Sequence, residues 1–270
     1  MELVIASGLA SANYWRDVWR YRELLYFLAW RDLAVRYKQT AIGVAWALLR
    51  PALTMMVFVL FRRLMGAERG GVPDVLFVLA AVLPWQFFAN ALGDASTSVI
   101  NNTNLVSKVY FPRLLIPLAA VATAFIDFLI TLTLLGAVML WLGFPPTWTL
   151  IALPPFIALT AALATGIGFC IAALNVKFRD FRYVVPFIIQ VGLFISPIAF
   201  SSANMPDRWL PLYAMNPLVG IIDGFRWAIL GGVTPIDPLT LGSSIAITAA
   251  TLVMGTWYFR RVERGFADVI

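Results

Sequence analysis

Asn101-Asn102-Thr103-Asn104-Leu105-Val106-Ser107-Lys108-Val109-Tyr110-Phe111-Pro112-Arg113 stands between two long apolar stretches, 75–93 and 114–142, and is itself too polar to lie in lipid. Asn101 to Asn104 are cap-prone, and Ser98 and Asn101 are the expected N-caps of a short helix. Leu105, Val106, Val109 and Tyr110 would then share one apolar face, at i, i+1, i+4 and i+5. Pro112 would end that helix and open the next apolar stretch. An apolar face on a water-side loop needs a partner. The loop 98–112 and the residue after it are therefore expected to dock on another protein through Asn101, Asn104, Leu105, Val106, Lys108, Val109, Tyr110, Phe111 and Arg113.

Working outward, composition sets the class. The 270 residues are 61% hydrophobic and 13% charged, with a mean hydropathy of +0.85. Soluble domains carry about 25% charged residues, so this is an integral membrane protein. An all-α fold of six transmembrane helices is expected, at 41–61, 75–93, 114–142, 149–174, 183–200 and 239–259. Spans of ~20 residues leave only short loops, and so a single domain, 1–270. The third span is long enough that it must tilt or project from the lipid.

Between the last two spans, 201–238 is apolar only in short pieces, broken by Pro206, Pro211, Pro217, Gly220, Gly224, Gly231 and Gly232. Neither piece can cross, and broken helix at membrane depth is tolerated only against protein or water. A re-entrant hairpin dipping in from the outer face is expected, with a surface loop of two short helices as the alternative. Upstream, 14–38 mixes Trp15, Trp19 and Trp30 with Arg16, Arg20, Arg31 and Arg36. Indole and guanidinium together suit the headgroup layer, so an interfacial amphipathic helix is expected there, turning into the membrane at Lys38–Thr40. Residues 3–12 lack a basic n-region and read as uncleaved rather than as a signal peptide.

An even number of spans puts both termini on one side. Of 20 Lys and Arg, 14 fall on that side and 5 on the other, with Arg50 inside span 1. The positive-inside rule makes both termini cytosolic. The net charge of +6 is then topological and calls for no nucleic acid. Histidine is absent, which removes the commonest base and metal ligand, and no metal site is expected. Cys170, the one cysteine, reads as packing.

A phosphate-binding loop needs Gly-Lys-Ser/Thr. The three lysines here are followed by Gln39, Val109 and Phe178. The chain cannot hold ATP that way, and no cofactor is expected on it. Nor is there a proton-relay cluster; Asp127 is the clearest mid-span acid. Such a chain wants a motor on another protein. An integral membrane enzyme acting on lipid would need a polar cluster at one interface, and the acids are scattered. A passive channel would not require the 98–112 loop.

Four stretches in order resemble the membrane permease subunits of ABC-type polysaccharide and polyol-phosphate exporters, the group that moves O-antigen, capsule or teichoic acid precursors. They are Arg36-Tyr37-Lys38-Gln39-Thr40 with Gly43, Trp46 and Arg50-Pro51; Leu83-Pro84-Trp85-Gln86-Phe87-Phe88; Asn104 to Arg113; and Asn175-Val176-Lys177-Phe178-Arg179-Asp180 with Ser196-Pro197, Tyr213, Asn216-Pro217 and Asp223-Gly224-Phe225-Arg226. The likeness runs from about Leu28 to Gly265. It implies a homodimer in the bacterial cytoplasmic (inner) membrane, with two copies of an ABC ATPase subunit that hold ATP and Mg. It implies a channel at the dimer interface and a lipid-linked glycan of the undecaprenyl-pyrophosphate type as cargo. The same fold serving a drug or small lipid is the near alternative.

On that resemblance the 98–112 loop is the coupling helix, and Lys177, Arg179, Asp180 and Arg182 are a second cytosolic contact or a membrane-edge anchor. The outer hairpin is a gate carried by Pro211, Asn216, Pro217, Asp223 and Arg226. Aromatic faces suit a sugar chain, so Phe77, Trp85, Phe87, Phe88, Tyr213, Phe225 and Trp227 are expected along the path, with packing the competing role. Arg50 either meets a lipid pyrophosphate at the cytosolic mouth, or snorkels to the interface or pairs with Asp127.

Overall fold

The computed structural model of the chain describes residues 11–38, 45–66, 71–206 and 208–266. The expected turn at Lys38–Thr40, the motif residues Gln39, Thr40 and Gly43, and the start of span 1 lie at or outside those bounds. Among the described residues the fold is all helix, with no strand. The order is α1 (Ser11–Arg20), α2 (Arg22–Lys38), α3 (Ala45–Leu64), α4 (Asp74–Asn101), α5 (Thr103–Lys108) and α6 (Leu115–Trp141). Then come α7 (Leu153–Lys177), α8 (Phe181–Ile195), α9 (Leu210–Tyr213), α10 (Pro217–Ile229) and α11 (Pro238–Val262).

Five helical segments are long and apolar enough to cross a membrane: α3, α4, α6, Trp148–Lys177 and Pro238–Gly265. The remaining expected span, 183–200, is helical only as α8, which has 15 residues. At 1.5 Å per residue it rises ~22 Å, short of the ~30 Å hydrocarbon core. Ser196-Pro197 ends it, because a residue before proline is pushed out of the α region.

The centre of the bundle is α4. Its N-terminal stretch, Leu76 to Leu83, is at most 6% exposed throughout, and the helix packs on α6, α7, α3 and α10. α3 and α11 are peripheral, with only 17% and 22% of their apolar windows buried. Lipid tails give helices no hydrophobic reason to associate, so contact depends on close backbone approach at small residues. The α7–α11 crossing is such a place. A Cβ on Gly255 would lie 2.0 Å from the Gly166 carbonyl oxygen, and one on Gly166 would lie 2.6 Å from the Leu252 nitrogen.

Apolar packing divides in two. The larger cluster joins α4, α6, α7 and α10. The smaller sits at the end that carries α5, and includes Leu28, Val99, Val106, Phe111, Phe169 and Phe259. The reading of 14–38 as one helix is corrected here. The chain turns at Tyr21 into two helices, and Leu28 and Ala29 of α2 are buried. Thr123 donates to the Ala29 carbonyl (3.3 Å), and Arg31 donates to the Asn102 side chain (2.7 Å). Arg36 then reaches Asp94 and Asp127, so α2 descends along α4 and α6.

Candidate functional site

At the α5 end, α4 runs through Asn101, so Ser98 and Asn101 are helix residues and not N-caps. Val99 is fully buried and keeps the helix going, while Ser96 and Ser98 return their hydroxyls to the carbonyls of Gly93 and Ala95 (both 2.7 Å). The break comes at Asn102. Its amide nitrogen donates to the Ser98 carbonyl (2.9 Å), and its oxygen is the acceptor for Arg31.

The apolar face expected of this segment is also corrected. α5 ends at Lys108, and Val109 is extended (φ −125°, ψ 134°), so Val109 and Tyr110 stand beyond the helix. Val106 and Phe111 turn into the smaller cluster, at 2% and 5% exposed. Val109 and Tyr110 turn out, at 51% and 71%. Asn101, Asn104 and Lys108 are exposed and Leu105 is half-buried. Arg113 closes the segment by donating to the Glu263 carbonyl. The result is a short protrusion held by its buried residues, with two apolar side chains turned outward.

Lys177 ends α7, Arg179 and Asp180 follow it, Arg182 lies in the first turn of α8, and all four are exposed. Among the described residues none of them forms an ion pair, and the local Arg179–Asp180 pair that the sequence allows does not form. Val176 packs on the same small cluster as Leu105. The fold thus brings this loop and the α5 protrusion to one end.

Deeper between α2, α3, α4 and α6 lies a cavity of about 540 Å³, walled by Arg36, Arg50, Gln86, Asn90, Asp94 and Asp127, with Trp46, Phe87 and Phe128. Arg36 bridges both acids, at 2.6 Å from Asp94 and in direct contact with Asp127. The Tyr37 hydroxyl donates to the other Asp127 oxygen (2.5 Å). This decides one alternative. Asp127 is partnered from α2, and Arg50 is not its partner. Arg50 opens onto the same cavity with no ion pair among the described residues. The sequence reading missed Asp94, which falls just past the edge of the expected second span. Its partner lies 58 positions away.

At the opposite end, Asn216 caps α10 by accepting from the Leu218 nitrogen (3.0 Å), with Pro217 preset at the first helical position. Its amide also donates to the Ser196 hydroxyl (3.3 Å). Ser202 donates to Asp223. Arg226, counted from sequence as an outer-side charge, is in fact 1% exposed. It donates to the carbonyls of Phe77 (3.3 Å), Phe200 (3.0 Å) and Ile198 (2.9 Å), and its guanidinium lies 3.8 Å from the Phe77 ring centre. Arg62 stacks on the same ring at 4.1 Å and pairs with Asp74 (2.8 Å). These residues rivet 196–202 to α10 and α4. Pro211 lies in α9 and is exposed.

The aromatics expected along the path divide by burial. Phe77, Trp85, Phe87, Phe88 and Phe225 are at most 7% exposed and pack inside the chain. Phe87 stacks on Phe128 with ring centres 4.9 Å apart, and Phe225 meets Phe128 edge-on. Of the expected path aromatics, Phe87 edges onto the polar cavity. Tyr213 and Trp227 are half-buried. Tyr213 packs on Phe200, and Trp227 meets Trp148 edge-on.

A family model described as ABC-2 type transporter matches residues 23–230. The O-antigen export system permease protein RfbA of Myxococcus xanthus is 27% identical, over 94% of this chain and 98% of that protein. A protein of the same description from Klebsiella pneumoniae is 28% identical, over 92% of this chain and 95% of its own length. The polysialic acid transport protein KpsM of Escherichia coli is 23% identical, over 86% and 91%.

Proposed function

The chain belongs to the ABC-2 type transporter family and is a transmembrane transport subunit, and from that premise we propose that it exports a lipid-linked polysaccharide across the bacterial inner membrane. The relatives named for O-antigen and polysialic acid transport support this cargo class. Two copies form the path, and two ABC ATPase subunits, carrying ATP and Mg, supply the work. Six crossings are completed by α8 together with 196–200. Both termini face the cytosol, and 201–238 forms the outer gate hairpin.

One observation carries the coupling role: Val109 and Tyr110 turn outward from a protrusion whose Val106 and Phe111 are buried. Exposed apolar side chains on a held loop at a basic helix end suit a docking partner. ATP binding on that partner pulls on α5, and α5 follows α4, the centre of the bundle, across the single break at Asn102. Loop 177–182 adds a second contact.

Arg50 is the cation we assign to the carrier's pyrophosphate, because guanidinium binds phosphate bidentately and its own cavity offers it no ion pair among the described residues. A glycan follows through the dimer interface.

The test is co-purification from detergent. Wild type retains an ATPase, and V109D/Y110D loses it while eluting like wild type on size exclusion. A wild-type chain that carries down no ATPase sinks the coupling reading. R50Q is expected to keep the ATPase bound but to lower export and cargo-stimulated hydrolysis at least ~10-fold. Unchanged export in R50Q removes the phosphate role.

A further inference from the structure

A second cavity, of about 650 Å³, opens at the α5 end between α1, the residues 109–113 and the end of α11. Five arginines line it against two acids. Glu263 is already engaged, because its carboxylate accepts from the Tyr14 hydroxyl (3.0 Å) and its carbonyl accepts from Arg113. Burial, and then that same carboxylate, push the Tyr14 phenol above its ordinary range, so it stays a donor. Arg20, Arg260, Arg261 and Arg264 form no ion pair among the described residues. Two of them are held by rings, Arg260 at 4.4 Å from Tyr14 and Arg261 at 5.4 Å from Trp257. Ring stacking fixes a guanidinium without using its N–H donors.

We propose that this cavity binds the phosphate headgroup of an anionic membrane phospholipid. An acidic protein segment would meet the same charge, but two observations favour lipid. Trp257 lines the site and the Trp15 ring lies 5.9 Å from the Arg260 guanidinium, the two 57% and 52% exposed, and indole at a helix end belongs at headgroup level. The outer face of α11 leads up to the arginines through exposed Val253 and Met254, 71% and 60%, a surface along which acyl chains lie. A headgroup here ties α1 and the end of α11 to residues 109–113, so the lipid also steadies the docking protrusion. The site does not depend on which cargo the chain moves.

The test uses the full chain, with its ATPase where that co-purifies, and native mass spectrometry with added phosphatidylglycerol, phosphatidylcholine or soluble glycerol phosphate. Wild type is expected to hold phosphatidylglycerol at least ~10-fold more tightly than phosphatidylcholine. R20Q/R261Q/R264Q, three exposed positions, is expected to lose roughly 100-fold. R63Q/R208Q at the opposite end is expected to lose nothing. R261Q alone serves if the triple variant fails to fold, with a loss of about 5-fold. Equal binding of phosphatidylcholine, or an undiminished phosphatidylglycerol affinity in the variants, overturns the proposal. Displacement by millimolar glycerol phosphate makes it a soluble-anion site and overturns it too. So does a variant that keeps the lipid but drops the ATPase, since the cavity then belongs to the partner protein.

Discussion

Arg226 shows what a single position hides. Its sequence context, in a Gly- and Pro-broken apolar segment, reads as an outer charge, but its guanidinium feeds three main-chain carbonyls in the interior. Removing it strands those acceptors beside Asp223, so R226A is expected to cost about 3–5 kcal/mol and lower the detergent melting temperature by about 10 °C. A melt within a degree or two of wild type would mean that water replaces the arginine. Arg36 is the comparable joint at the other end, the shared partner of Asp94 and Asp127. A double-mutant cycle on R36Q and D127N should return a coupling of about 1–3 kcal/mol. Additive single effects would mean that the cluster is not a unit. Asp127 stood out in the sequence as an acid inside an apolar run. Its partners did not, because Arg36 and Tyr37 sit 91 and 90 positions away on a helix that reads as interfacial.

Among the elements, the long apolar helices were legible because ~20 apolar residues admit few other fates. Their joints were not. The hydroxyls of Ser96 and Ser98, which look like caps, bond backward and let α4 run on to Asn101. Helix packing was equally unreadable from composition, since only particular glycines lie at crossings. G255A pushes a Cβ onto the Gly166 carbonyl, and is expected to destabilise by about 1–3 kcal/mol. Gly242 has open space around it, so G242A should be neutral or slightly stabilising, as alanine is the better helix former. Thermal melts of the two in one detergent decide it. Equal melting temperatures would show that α7 and α11 can slide apart without loss.

For the whole molecule, the prediction is sidedness. In a C170A background, S107C and D180C at the α5 end should react with an impermeant maleimide only after the membrane is opened. P146C and R208C should react in intact spheroplasts. Labelling of S107C from outside would invert the molecule and take the docking proposal with it. The exposed apolar faces of α3 and α11, Met56, Leu60 and Val253 among them, are what such a bundle turns to lipid or to a second copy.

The sequence by itself determined that the chain is a helical membrane protein with a polar protrusion between long spans and no nucleotide loop of its own. Those conclusions rest on local chemistry: hydropathy over ~20 residues, charge bias between loops, and the need of a phosphate loop for Gly-Lys-Ser/Thr. The tertiary structure alone decided which charges meet, which aromatics are core, and where two cavities open. Each of those depends on residues tens to hundreds of positions apart, as with Tyr14 and Glu263 or Arg226 and Phe77. In a bundle whose every face is apolar, periodicity does not say which face turns inward. The crossing geometry set by a few glycines does.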